Sequence, residues 1–176
     1  ITKLNKESQI ISIDKEKKKI KYSSKIKLHR EISKLTSEEI CRAYLVSDLI
    51  ILKNYKPELI ELEKEYEAGR PKTIKPRIDL ILNENDKNIF YFIEVKAFEK
   101  YESDKKYIDG QIFKLKDLEE KIVKNGLYYS VKFDEKNDQI LQKMETIDLE
   151  KFTKYDDWEK AGYPSLSNSI SQNFGK

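Results

Sequence analysis

The chain is poor in the residues that most often announce a chemistry. Among 176 residues it has one cysteine, Cys41, and one histidine, His29. A single thiol excludes an internal disulfide and fits a reducing compartment. One Cys and one His also exclude the paired spacings of a Cys/His zinc site. There are five glycines, none clustered, so the chain has neither a glycine-rich phosphate loop nor a nucleophile elbow. No apolar run approaches the roughly 20 residues that span a bilayer. No charged-then-apolar leader is visible, and because the chain opens on Ile1 its natural N-terminus is expected upstream.

Charge and aromatics are what it has. Hydrophobic and charged residues each make up 38%, with 11 Tyr and 7 Phe. That is a polar surface around a modest core, one domain in size and too aromatic for disorder. The net charge of +3 hides an asymmetry. Residues 1–35 carry eleven Lys and Arg against four Asp and Glu, a local excess of +7 that leaves the rest at −4. Such a segment suits contact with phosphates and equally suits a solvated lysine-rich face.

Periodicity orders the elements. "SQIISIDKEKKKIKYSSKIKLHR" alternates like one or two short strands. "LTSEEICRAYLVSDLIILKNY" predicts a helix, with Thr36 and Glu39 as a capping box and Pro57 marking the break after it. "ELIELEKEYEAG" suits a strand closed by a loop at Gly69 and Pro71. "RIDLIL" and "IFYFIEVKA" are strands joined by the turn-rich "NENDKN". In the first, Ile78, Leu80 and Leu82 are expected on one face; in the second, Ile89, Tyr91, Ile93 and Val95 on one face and Phe90, Phe92, Glu94 and Lys96 on the other. "DGQIFKLKDLEEKIVKNG" predicts an amphipathic helix ended by Gly126, and "LYYSVKFD" a last strand. The expectation is an α/β fold, a central mixed sheet flanked by helices. Residues 1–150 are expected to be the domain, with its core over about 36–135, and the polar stretch 151–176 a connector.

Glu94 and Lys96 stand out because charges on an apolar strand cost several kcal/mol unless paired or used. A hairpin connection brings Asp79 beside them. Two carboxylates and a backbone carbonyl suit Mg²⁺, which keeps its other positions for water and phosphate. Lys96 reaches the same place with a positive charge, able to orient or help deprotonate an attacking water. The bland alternative is a partly exposed ion pair between Glu94 and Lys96, with Asp79 capping a strand end near Arg77. Glu63 is a further acid that either lines this cleft or sits exposed on its strand. His29 beside Arg30 suits a surface position, and Cys41 suits packing.

"PRIDLIL" followed by "FIEVKA" resembles the PD-(D/E)xK nuclease motif, with Pro76, Asp79, Glu94 and Lys96 in its places. The wider run from "SEEICRAYLV" through "DGQIFKL" is similar to the N-terminal nuclease domain of type I restriction enzyme R subunits, over roughly residues 36–131. The resemblance implies a restriction-endonuclease-like core in which Asp79, Glu94 and the Val95 carbonyl bind Mg²⁺, or Mn²⁺ in its place, and Lys96 is the catalytic lysine. It implies an extra acid from the first helix, Glu39 or Glu38, with a capping role as the alternative for Glu39. Gln111 fits the first position of the family's Gln-x-x-x-Tyr motif, but Leu115 stands where Tyr would be, so only the glutamine's role carries over.

The implied function is Mg²⁺-dependent cleavage of double-stranded DNA in the restriction of foreign DNA. The implied setting is the prokaryotic cytoplasm, off the membrane, with methylation and specificity subunits as partners. ATP enters only through a helicase-like motor downstream of the connector. Two rivals stay open: a repair or junction nuclease on the same fold, and a degenerate domain that binds nucleic acid or partners without cutting.

Overall fold

Alternating apolar residues and lysines draw Ile11–Asp14 (β1) and Lys19–Tyr22 (β2) into an antiparallel hairpin. In this computed structural model, which describes residues 10–67, 75–133 and 140–148, the hairpin forms a small sheet of its own. A mixed six-stranded sheet carries the rest. Its spatial order is β3 (Lys27–Leu28), β4 (Ile60–Glu65), β5 (Arg77–Asn83), β6 (Asn88–Val95), β7 (Ile122–Phe133) and β8 (Ile140–Asp148). β3 pairs parallel with β4, whereas β4 with β5 and β5 with β6 are antiparallel. β6 and β7 are parallel, so a crossover must join them, and helix α2 (Tyr101–Leu118) supplies it. The expected α/β architecture, a mixed sheet flanked by helices, is what the chain forms.

Helix α1 (Ser37–Ser47) starts where predicted: the Thr36 hydroxyl oxygen accepts from the Glu39 amide at 3.1 Å, a cap worth about 1 kcal/mol. The predicted helix was longer. Its regular part stops at Ser47, whose hydroxyl donates back to the Ala43 carbonyl at 2.9 Å, and the chain widens into one π turn over Asp48–Leu52.

Each face of the large sheet has its own core. α1 and the β1–β2 hairpin pack on one face, where Tyr22, Val46, Leu62, Leu80, Ile93 and Val95 meet. α2 covers the other, where Phe113 and Ile112 meet Ile81 and Phe92. Burying each such side chain contributes roughly 1.5–3 kcal/mol. Tertiary pairing corrects the sequence in three places. Ile78 falls in the α2-side core, not with Leu80 and Leu82. The alternation breaks at Asp79, opposite Glu63, whose backbone is left-handed at φ 60°; the pairing Leu62–Leu80 resumes at Lys64–Ile78 around it. Ile89 likewise changes face, because the β5–β6 register shifts at Leu82 and Asn83, and the extra residue, Phe90, is left 39% exposed.

The third correction is the end of α2. The helix stops at Leu118, and the predicted helical residues 122–126 instead open β7, with Gly126 opposite Phe92. Glu119 turns the chain, its carboxylate held at 2.5 Å by both Lys64 and Tyr66. Strand β8 was not foreseen. The Gly69–Pro71 loop and the connector 151–176 lie outside the described residues.

Candidate active site

The β5–β6 ladder begins at Leu80–Ile93. Just beyond it the Asp79 side chain takes over as acceptor, its Oδ2 receiving the Val95 amide at 2.9 Å. The strands therefore part around a carboxylate. Glu94 lies beside it, 2% exposed, and its Oε1 accepts from Lys96 Nζ at 2.5 Å and from Gln111 Nε2 at 3.0 Å. Lys96 Nζ is also 3.9 Å from Asp79 Oδ2 and 3.4 Å from the Val95 carbonyl oxygen. Asp79, Glu94, Lys96, Gln111 and the Val95 carbonyl, named from the sequence, are thus brought together by β5, β6 and α2. Gln111 is anchored by a second bond, to the Arg77 carbonyl at 3.1 Å.

Two further participants carry no sequence expectation. Arg42 on α1 is 3% exposed and donates to Glu39 at 2.7 Å and to Asp79 Oδ1 at 3.0 Å, and its Nη2 lies 2.8 Å from Glu63 Oε1. Tyr22, from the hairpin, donates its hydroxyl to Glu39 Oε1 at 2.5 Å. Both carboxylate oxygens of Glu39 are therefore occupied, and the side-chain half of the predicted capping box does not form. Glu63 joins this network, with Arg77 Nε 2.7 Å from its other oxygen. Glu38, half-buried, lies 3.9 Å from Arg42. A charge inside the apolar run of "EEICRAYLV" was the one sequence signal for Arg42; Tyr22 gave none. His29 and Cys41 stand apart. His29 Nε2 is 2.6 Å from Glu61, and Cys41 is buried with its thiol donating to the Val131 carbonyl.

Charge is out of balance here. Five carboxylates (Glu38, Glu39, Glu63, Asp79, Glu94) face three cations, Arg42, Arg77 and Lys96. Burial, and then the nearby Asp79 charge, push the Glu94 carboxyl up to about 8 against the pull of Lys96. Burial raises Glu38 and Glu39 as well; Asp79 adds to the rise at Glu38, while Arg42 opposes it at Glu39. Burial would lower Lys96, but Glu94 and Asp79 outweigh it and raise the ammonium, so it stays charged at neutral pH. Two atoms of the site are left over: Arg42 Nε and Glu94 Oε2 are both buried with no hydrogen-bond partner. An orphaned carboxylate oxygen beside a second acid and the Val95 carbonyl is a hard-oxygen donor set, the kind Mg²⁺ and Mn²⁺ take. The residues fit such an ion as two side chains and a carbonyl. No group of three or more His, Cys, Asp or Glu side chains among the described residues is arranged to hold a metal.

The family model for the type I restriction enzyme R protein N terminus matches residues 37–148. The chain belongs to that family. The match runs from the start of α1 to the end of β8, so it contains every residue of the site except Tyr22. Type I restriction enzymes are multi-subunit assemblies that act on DNA, and the R-protein N-terminal region fits their nuclease part. No curated protein matches the chain. Among its described residues no helix is long and apolar enough to cross a membrane.

Proposed function

We propose that this R-protein N-terminal domain is a Mg²⁺-dependent endonuclease that cleaves DNA phosphodiester bonds. The observation that carries the reading is the convergence of Asp79, Glu94 and Lys96 with one buried Glu94 oxygen left unpaired. Asp79, Glu94 and the Val95 carbonyl are the residues that would hold the ion. Bound there, it supplies Lewis-acid charge that stabilises negative charge building on a phosphate. The protein's own groups do the rest. Gln111 holds Glu94 in place from α2. Lys96 reaches the same place with a positive charge, able to orient an attacking water and to stabilise charge in the transition state.

A groove of about 630 Å³ lies against the β1–β2 hairpin, lined by Lys17, Lys19, Lys21, Ser23 and Ser24, with Asp14 and Glu31 also on its wall. Its lysines and serines suit a phosphate backbone, which positions without reading sequence. Tyr22 also lines that groove while donating to Glu39, so the groove adjoins the site. The proposed setting is restriction of foreign DNA in the prokaryotic cytoplasm, with methylation and specificity subunits and an ATP-driven motor as partners.

One observation favours a rival reading. Lys96 sits 2.5 Å from Glu94 and Arg42 3.0 Å from Asp79, so both carboxylates already have cations, as in a degenerate DNA-binding domain. Plasmid cleavage decides between them. With Mg²⁺ the wild-type chain, alone or with its partner subunits, is expected to convert supercoiled plasmid, and Lys96→Ala is expected to retain Mn²⁺ binding while cutting at least about 100-fold more slowly. Equal rates for the two, under conditions that support cutting, would favour the rival.

A further inference from the structure

We propose that Tyr22, Glu39 and Arg42 form a positioning relay that aims Asp79, making the N-terminal hairpin a working part of the site. The links run in one line. The Tyr22 hydroxyl donates to Glu39 Oε1, Arg42 Nη1 donates to Glu39 Oε2, and Arg42 Nη2 donates to Asp79 Oδ1. The far oxygen of Asp79 accepts from the Val95 amide. Asp79 is thereby held from both sides, one on β6 and one reaching across α1 to β2.

Packing alone does not account for these choices. A guanidinium that is 3% exposed carries a heavy desolvation cost, which the Glu39, Glu63 and Asp79 carboxylates around it offset; an apolar side chain there would leave those three buried without their cation. What the guanidinium adds is a rigid fork. With Glu39 holding one arm at 2.7 Å and Glu63 set at 2.8 Å from the other, only one orientation of Arg42 satisfies both, and it points Nη2 at Asp79. Glu63 reaches its place only through a left-handed backbone, φ 60°, in the middle of a strand. Non-glycine residues hold that conformation where surrounding structure demands it, and such outliers gather at functional sites. Tyr22, 3% exposed, needs one acceptor for its hydroxyl and takes the carboxylate that steadies the fork. It lies outside the family-matched residues 37–148, so the hairpin adds to the site something the matched region does not contain.

The positioning itself rests only on these contacts; its consequence for metal binding rests on the nuclease reading above. Two measurements on the whole chain keep the two apart. The first is hydrogen exchange of the Val95 amide by NMR without metal; the second is Mn²⁺ affinity by calorimetry. In Tyr22→Phe, which removes one oxygen and keeps the buried ring, the Val95 amide is expected to exchange about ten-fold faster while amides of β7 are unchanged. Mn²⁺ is expected to bind about five-fold more weakly. Glu39→Gln is expected to move both readouts the same way. Faster Val95 exchange in a protein whose wild type binds no Mn²⁺ would uphold the relay and sink the metal reading. Val95 exchange within about two-fold of wild type, whether or not the melting temperature or Mn²⁺ affinity falls, would overturn the relay and leave Tyr22 as a packing residue.

Discussion

Glu61 and Glu94 are buried to nearly the same degree, 6% and 2% exposed, on strands separated only by β5. Their chemistry diverges completely. Glu61 is saturated: Oε2 meets His29 at 2.6 Å and Lys27 at 3.1 Å, and Oε1 accepts from the Asn83 amide at 3.0 Å. Burial works against its charge, but those hydrogen bonds win and hold its carboxyl down to about 2. Glu94 has Lys96 and Gln111 on one oxygen and nothing on the other, with Asp79 close by, and its carboxyl is pushed up to about 8. Burial opposes ionisation at both acids; the hydrogen bonds overcome it at Glu61, whereas at Glu94 burial and the Asp79 charge prevail. The first region is finished as it stands; in the proposed reading the second is completed by a metal ion.

The sharpest way to break that contrast is to remove an acid from each region. Asp79→Ala or Glu94→Gln is expected to lower Mg²⁺-dependent cleavage by about 100- to 1,000-fold, whereas Glu61→Gln leaves the rate of folded protein unchanged. A cleavage loss in Glu61→Gln as large as that in Glu94→Gln would erase the distinction.

Stability should show the opposite order. Glu61→Ala strands the Asn83 amide and the His29 ring, and urea denaturation is expected to show a loss of about 2 kcal/mol. Glu94→Gln removes a carboxyl whose ionisation burial opposes, so it is expected to be neutral or stabilising at pH 8.

The pH dependences differ in sign as well. Glu61, lowered to about 2 from 4.5, contributes stability that is present above pH 4.5 and lost as pH falls towards 2. Glu94, raised to about 8 from 4.5, keeps in the folded state a proton that the unfolded chain releases. Stability is therefore expected to fall as pH rises from 4.5 to 8, by at most about 1.4 kcal/mol per unit, and Glu94→Gln to flatten that slope. Mn²⁺ affinity, which needs the ionised form, is expected to rise by up to about ten-fold per unit over the same window. An affinity independent of pH between 6 and 8 would place the ion elsewhere.

The smallest effect belongs to the hairpin's outer face. Lys19→Glu with Lys21→Glu is expected to weaken binding to any DNA about ten-fold and to reduce the salt slope by roughly 2, without moving Mn²⁺ affinity. An unchanged salt slope would return those lysines to plain solvated surface.

Much of the site was legible because its central acids lie on one hairpin. Asp79, Glu94 and Lys96 fall on adjacent strands with a short loop between, so alternation and turn chemistry sufficed to bring them together. The capping of α1 by Thr36 was readable for the same local reason. The rest depends on distant partners. Tyr22 reaches Glu39 across 17 residues and Arg42 reaches Asp79 across 37, and no local pattern encodes either. The face changes at Ile78 and Ile89 follow from the left-handed Glu63 and the register shift near Asn83, which only the assembled sheet reveals. Gly126 looked like a helix stop because glycine ends helices, yet parallel pairing with β6 places it inside a strand. β8 was missed because its polar residues suited a surface segment as well as an edge strand.

The central claim is that Asp79, Glu94 and the Val95 carbonyl form a metal site. The most direct test is a crystal of this chain soaked in Mn²⁺ and measured at the manganese edge, with Asp79→Ala treated in parallel. An anomalous peak between the two carboxylates, with Glu94 Oε2 among its ligands and absent from the variant, is the predicted result. A well-ordered site with no peak, Lys96 still on Glu94 and Arg42 still on Asp79, would contradict it.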